Sequence, residues 1–90
     1  MPLENTSRPR LATGCRWAGD EENRMVVFPE GALRLLGTAR AVLERCDGNR
    51  TFEQIVQELE AAYSASDSAK IRQDAIAFLD RLQQKRLVDF

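Results

Sequence analysis

The side chains that could attack a substrate, shuttle a proton or hold a metal are few: two cysteines, Cys15 and Cys46, a scatter of carboxylates, and no histidine. Without histidine, the commonest general base at neutral pH and the Ser/His/Asp and Cys/His nucleophile systems are not available. The two cysteines stand far apart with no second pair, so they form no ligand set for zinc or a cluster. Each fits an apolar position of its local pattern, which points to free buried thiols in a reducing compartment rather than to a bridge. Glu53, Glu58 and Glu60 could supply a carboxylate pair, but they fall on or beside the polar face of one helix, where solvated charge is ordinary. The five glycines, Gly14, Gly19, Gly31, Gly37 and Gly48, stand singly at turns and element ends and build no phosphate loop. The chemistry points to a non-catalytic binding module without cofactor or metal.

A chain of 90 residues, 43% hydrophobic and 30% charged, supports one domain with a single modest core, too small for a deep substrate cleft as well. Its 13 basic and 14 acidic side chains leave a formal charge of -1, which supplies no summed positive field for nucleic acid or an anionic membrane. The first residues carry no basic region followed by an apolar stretch, and apolar runs are short. A cytoplasmic protein without membrane contact is expected. Residues 1–8 are expected to be a flexible N-terminus and residues 9–90 the folded domain.

The elements that must position any binding surface follow from period and punctuation. Cys15 and Trp17 share one face of a short strand, Gly19–Asn23 reads as a polar hairpin loop, and Met25–Phe28 reads as a second strand. Pro29-Glu30-Gly31 forms a turn into a third strand, Ala32–Leu35. From Thr38 the period changes to nearly four: Ala39, Val42, Leu43 and Cys46 share a face of a first helix capped by the Thr38 hydroxyl and ended by Asp47-Gly48-Asn49. Thr51 and Gln54 form a capping box for a second helix with a stripe of Phe52, Ile55, Val56, Leu59 and Tyr63. Ser64–Asp67 breaks the chain, and a third helix starts near 66–68 and runs to about Lys85, with Lys85 and Arg86 at its negative end. The fold class is α+β: a small winged-helix-like domain with a three-stranded antiparallel sheet followed by three helices packed on one side of it.

Phe28-Pro29-Glu30-Gly31, then Leu36-Gly37-Thr38-Ala39, then Asp47-Gly48-Asn49-Arg50-Thr51, with Ile55, Leu59, Tyr63, Phe78 and Leu82 downstream, resemble the PqqD family of pyrroloquinoline quinone (PQQ) biosynthesis from about Pro9 onward. Gly37 departs from the pattern, since asparagine is common there. The resemblance implies a peptide chaperone that binds the ribosomally made precursor PqqA and presents it to the radical SAM enzyme PqqE, which cross-links a glutamate and a tyrosine.

The physics of such a role can be read from the residues as well. An exposed sheet edge accepts an extended peptide as an added strand, and Ala32, Leu33, Arg34 and Leu35 are the candidate edge. Ile71, Ala75, Phe78 and Leu82 make the expected core face of the third helix. Ile76 and Leu79 widen it toward a groove, and Arg72 joins them as a candidate peptide contact. Glu30 and Arg50 are weaker candidates for contact with peptide or enzyme. The alternative is a winged-helix regulator binding nucleic acid or another protein, but a DNA-reading helix needs cations, and the second helix carries more acid than base. The chain is expected as a monomer or, by exchange of an edge strand, a homodimer.

Overall fold

The computed structural model describes residues 3–63 and 67–90. Met1 and Pro2 of the expected N-terminal arm, Ser64–Ser66 of the expected break, and the first of the expected starts of the third helix lie outside the described residues. The order is β1 (Arg10–Leu11), β2 (Arg16–Ala18), β3 (Met25–Phe28), β4 (Gly31–Arg34), α1 (Gly37–Glu44), α2 (Phe52–Ala62), α3 (Ser68–Gln84) and β5 (Val88–Asp89). Three strands form an antiparallel sheet in the order β2-β3-β4, as the alternation and turn residues predict. A second, two-stranded sheet pairs β1 with β5 antiparallel; two-residue strands are too short to show a period, so they escape detection in the sequence.

Register sorts the sheet into two faces. Trp17, Val26 and Leu33 stand opposite one another in one row. Val26 is wholly buried, while Trp17 and Leu33 are half-buried against the same core, so this face meets the helices. The flanking rows, Arg16-Val27-Ala32 and Ala18-Met25-Arg34, lie on the other face. The β2–β3 loop closes on Asp20, whose Oδ1 accepts from the N–H groups of Glu22 and Asn23. Gly19, at φ +80°, is required there: a Cβ would stand 2.0 Å from the Asn23 carbonyl oxygen.

The helices begin by different means. At α2 the Thr51 hydroxyl accepts from Gln54 N–H and the Gln54 side chain accepts from Thr51 N–H, the capping box expected from those two residues. The Asp67 carboxylate caps α3 by accepting from Ala69 N–H at 2.9 Å. The expected Thr38 cap is not formed. Helix α1 already starts at Gly37, its N-cap residue is Leu36 with no side-chain acceptor, and Thr38 sits inside the first turn. At the other end of α3 the chain turns through Arg86 at φ 61°. Leu87 N–H reaches the Leu82 carbonyl and Arg86 N–H that of Gln83, the double closure that satisfies the last carbonyls of a helix.

Within residues 3–8, expected to be a flexible N-terminus, backbone carbonyls meet the start of α2. The Ser7 and Asn5 carbonyls accept from the Phe52 and Glu53 N–H groups at 2.7 and 3.1 Å, giving partners to amides that a helix start leaves open. Pro9 is buried, and Leu3 packs against the core.

The core draws on every helix and on the strands: Val42 and Leu43 from α1, Phe52, Ile55, Val56 and Leu59 from α2, Ile71, Ala75, Leu79 and Leu82 from α3, with Val26, Leu35 and Val88. Two positions on α3 exchange roles relative to the sequence reading. Leu79, expected at a peptide groove, is 0% exposed; it follows Ala75 by four residues and precedes Leu82 by three, so it stands at the middle of the buried stripe. Phe78, expected in the core, is only half-buried. Replacing Leu79 with alanine is therefore expected to lower the unfolding free energy by about 2–5 kcal/mol, whereas Ile76→Ala, at a position 39% exposed, is expected to cost less than about 1 kcal/mol. Urea unfolding of both variants checks the ordering, and an equal loss would contradict it.

The α1–α2 connection turns on Asp47, whose Oδ1 accepts from Asn49 and Arg50 N–H at 2.9 and 3.1 Å. Those backbone donors, with the Arg50 guanidinium at 2.6 Å, hold the carboxyl below its ordinary value. A lowered folded pKa contributes stability above the unfolded value of about 3.9 and loses it as pH falls through the folded value. The stability difference between the parent and Asp47→Asn is expected to be constant near neutral pH and to shrink below about pH 4. Thermal unfolding followed against pH measures it; a difference that grows on acidification would refute the assignment.

Candidate functional site

β4 lies at the end of the β2-β3-β4 sheet, so one of its edges is open among the described residues. Leu35 N–H donates to the Arg24 carbonyl at 3.0 Å, and antiparallel pairs alternate between bonded and non-bonded positions. Counting back along the register, Val26↔Leu33 is a bonded pair, while Val27↔Ala32 and Met25↔Arg34 are not. The N–H and C=O groups of Ala32 and Arg34 therefore face the open edge. Pro29-Glu30 forms the tight connection between Phe28 and Gly31 that presents this strand. Ala32 and Arg34 are exposed and Leu33 half-buried. Leu35, expected as part of the edge, is 2% exposed and belongs to the core; one residue beyond the strand, it anchors the chain as it enters α1.

The residue after it is different. Leu36 is 63% exposed, the largest exposure of any large hydrophobic side chain among the described residues. It stands where β4 ends and α1 begins, two residues before Thr38, which lines a groove between α1 and α3. Thr38, Ala39, Val42, Asp74, Ala75 and Phe78 line its apolar part, a cavity of about 140 Å³. An adjoining polar part of about 280 Å³ is lined by Thr38, Tyr63, Asp67, Lys70, Ile71 and Asp74.

The expected groove residues on α3 are not gathered there. Ile76 and Phe78 are two positions apart on a helix and so project about 160° apart. The Phe78 shoulder faces α1, whereas Arg72, near Ile76 on the other shoulder, donates to Asn5 Oδ1 at 2.9 Å and Glu53 Oε2 at 2.8 Å and lies over the Phe52 ring. Arg72 is thus a clamp between α3, α2 and the N-terminal segment. Leu36, Thr38, Asp74 and Phe78 are further candidates that the sequence reading did not single out as peptide contacts. The available signal was Leu35-Leu36: two adjacent leucines leaving a strand cannot both point inward.

Arg50 and Glu58 belong to a separate polar shelf. Glu58 accepts from Arg45 at 3.2 Å and from Arg50 at 2.8 Å, and Arg50 also reaches Asp47. Glu58 is therefore paired rather than merely solvated, with the charges satisfied among themselves. Neither thiol is poised to react: burial, with Asp47 nearby, pushes Cys46 up to about 12, and burial with Asp89 raises Cys15. The site can bind a chain through backbone edge and apolar contact; its side chains suit recognition.

Comparison with known proteins shows the family and the fold. Residues 24–88 match the family described as Coenzyme PQQ synthesis protein D (PqqD). A protein of Xanthomonas axonopodis pv. citri (strain 306) named PqqA binding protein is 40% identical over 88 residues, covering 96% of this chain and 95% of that one. A protein of the same name from Stutzerimonas stutzeri (strain A1501) is 34% identical over 80 residues, 87% and 85% of the two chains. Among solved structures, the NMR structure of the PqqD truncation of Methylobacterium extorquens PqqCD is similar with a TM-score of 0.78 and 34% identity, over 98% of this chain and 95% of that one. That protein is described as a functional, stand-alone recognition element for ribosomally synthesized and post-translationally modified peptides. With the match spanning most of its length and the fold shared, this chain belongs to the PqqD family.

Proposed function

We propose that this protein is a peptide carrier of PQQ biosynthesis, which binds the precursor PqqA and presents it to the radical SAM enzyme PqqE without chemistry of its own. The names of the relatives, PqqA binding protein, support the ligand. The observation that carries the mode of binding is the open edge of β4, followed along the chain by the exposed Leu36 and by Thr38, Ala39 and Val42 of the α1–α3 groove. In this reading the peptide adds a strand to β4 through the outward groups of Ala32 and Arg34, and it lays apolar side chains against Leu36 and Phe78. Backbone pairing supplies affinity with little dependence on sequence; the groove supplies selectivity. The reading replaces the Ile76–Leu79 contact expected from the sequence, because Leu79 is enclosed and Ile76 projects to the other shoulder of α3. A nucleic-acid role gains nothing from the fold: α2 exposes Gln54, Gln57 and Ala61 and carries no lysine or arginine.

Two variants separate this surface from the core. Arg34→Pro removes an N–H that faces the open edge and none that bonds β3, and Leu36→Asp places a charge on a side chain already in water. In calorimetric titration with a synthetic PqqA peptide, each is expected to weaken binding at least about tenfold, or 1.4 kcal/mol, with an unchanged circular dichroism spectrum. Folded variants that bind as tightly as the parent would place the peptide on another face.

A further inference from the structure

The two parts of the groove meet at Thr38 and Asp74, and the charged groups around that junction are unequal. The Asp67 carboxylate is engaged as the cap of α3, accepting from Ala69 N–H. Asp74, by contrast, has no ion-pair partner among the described residues, although Lys70 stands one turn before it at a spacing where opposite charges commonly meet. It also lies nearly two turns inside α3, beyond the reach of the positive end of the helix. One side of Asp74 borders the cavity floored by Ala39, Val42, Ala75 and Phe78. An occupant of that cavity would strip water from the carboxylate, which then needs a cation or an N–H donor in its place.

The apolar part, about 140 Å³ and walled by Ala39, Val42, Ala75 and Phe78, offers room for an aliphatic side chain. Asp74 and Phe78 are four residues apart, a rise of about 6 Å along α3. An extended chain advances about 6.6 Å in two residues, returning a side chain to the same face. An extended peptide lying along α3 therefore meets Phe78 and Asp74 with side chains two positions apart.

We infer that Asp74 is a selectivity residue of the groove: it pairs with a lysine or arginine of the bound peptide, two positions from the aliphatic side chain that fills the cavity beside Phe78. This inference rests on the peptide-carrier reading above and adds to it the class of side chain that is read.

A double-mutant cycle tests it. Each lysine and arginine of a synthetic PqqA peptide is changed singly to glutamine, and every peptide is titrated by calorimetry into the parent protein and into Asp74→Asn, a variant at an exposed position that leaves the core untouched. One basic position, two residues from an aliphatic one, should lose about three- to tenfold in affinity for the parent. It should lose nothing further for Asp74→Asn, and the difference should shrink as salt is raised. Tight binding of the unaltered peptide with no basic position coupled to Asp74 overturns the selectivity role while leaving the carrier reading intact. If the parent fails to bind the unaltered peptide, the carrier reading falls and takes this inference with it.

Discussion

The burial of one stripe of α3, Ile71, Ala75, Leu79 and Leu82, is the constraint on which the rest of the molecule depends. That stripe packs α3 against α1, α2 and β5 at once, and a domain of this size has no second core to fall back on. Once the stripe is pinned, the helical period decides what each shoulder of α3 can do. The shoulder carrying Arg72 turns to α2 and the N-terminal segment, where Asn5 and Glu53 take its guanidinium. The other carries Asp74 and Phe78 toward α1 and is left open as a groove.

The sheet shows the same division between a committed side and a free one. Its Trp17-Val26-Leu33 row is spent on the core, and the ladder to β3 occupies one edge of β4. What remains is the outer edge of β4, an arrangement that proteins ordinarily protect because unpaired N–H and C=O groups invite another strand. Here the edge ends at Leu36, whose side chain is 63% exposed. An unprotected edge and an exposed leucine side by side are consistent with one another if a peptide covers both.

The fold was largely legible in the sequence because its cues are local. Thr51 and Gln54 announce a capping box, Pro29-Glu30 a tight turn, and Met25–Phe28 a strand, and all three are observed. What could not be read depended on contacts across the chain. The pairing of β1 with β5 and the docking of Asn5 and Ser7 on the start of α2 join segments distant in sequence and leave no periodic trace. The choice between Phe78 and Leu79 for the core was a matter of where an apolar arc about 100° wide is centred. Ile71, Ala75, Ile76, Phe78, Leu79 and Leu82 define that arc only to within one position, and the partners that centre it lie on other elements. The Thr38 cap is not formed because Arg40 N–H already donates to the Leu36 carbonyl, which puts Thr38 inside the first turn. Of the candidate site, Ala32 and Arg34 lie on the open strand as expected, while Leu35 and Leu79 are enclosed in the core.

In the proposed binding mode the β4 edge and the α1–α3 groove form one continuous peptide-binding surface. Residue-resolved amide shifts, recorded while unlabelled PqqA peptide is titrated into the isotopically labelled protein, test it most directly. The account predicts that the largest changes fall on Ala32, Arg34, Leu36, Thr38, Asp74 and Phe78, with the edge amides of β4 gaining protection from solvent exchange. Saturable changes confined to Arg72 and Ile76, or to the Asp47–Glu58 shelf, would contradict it.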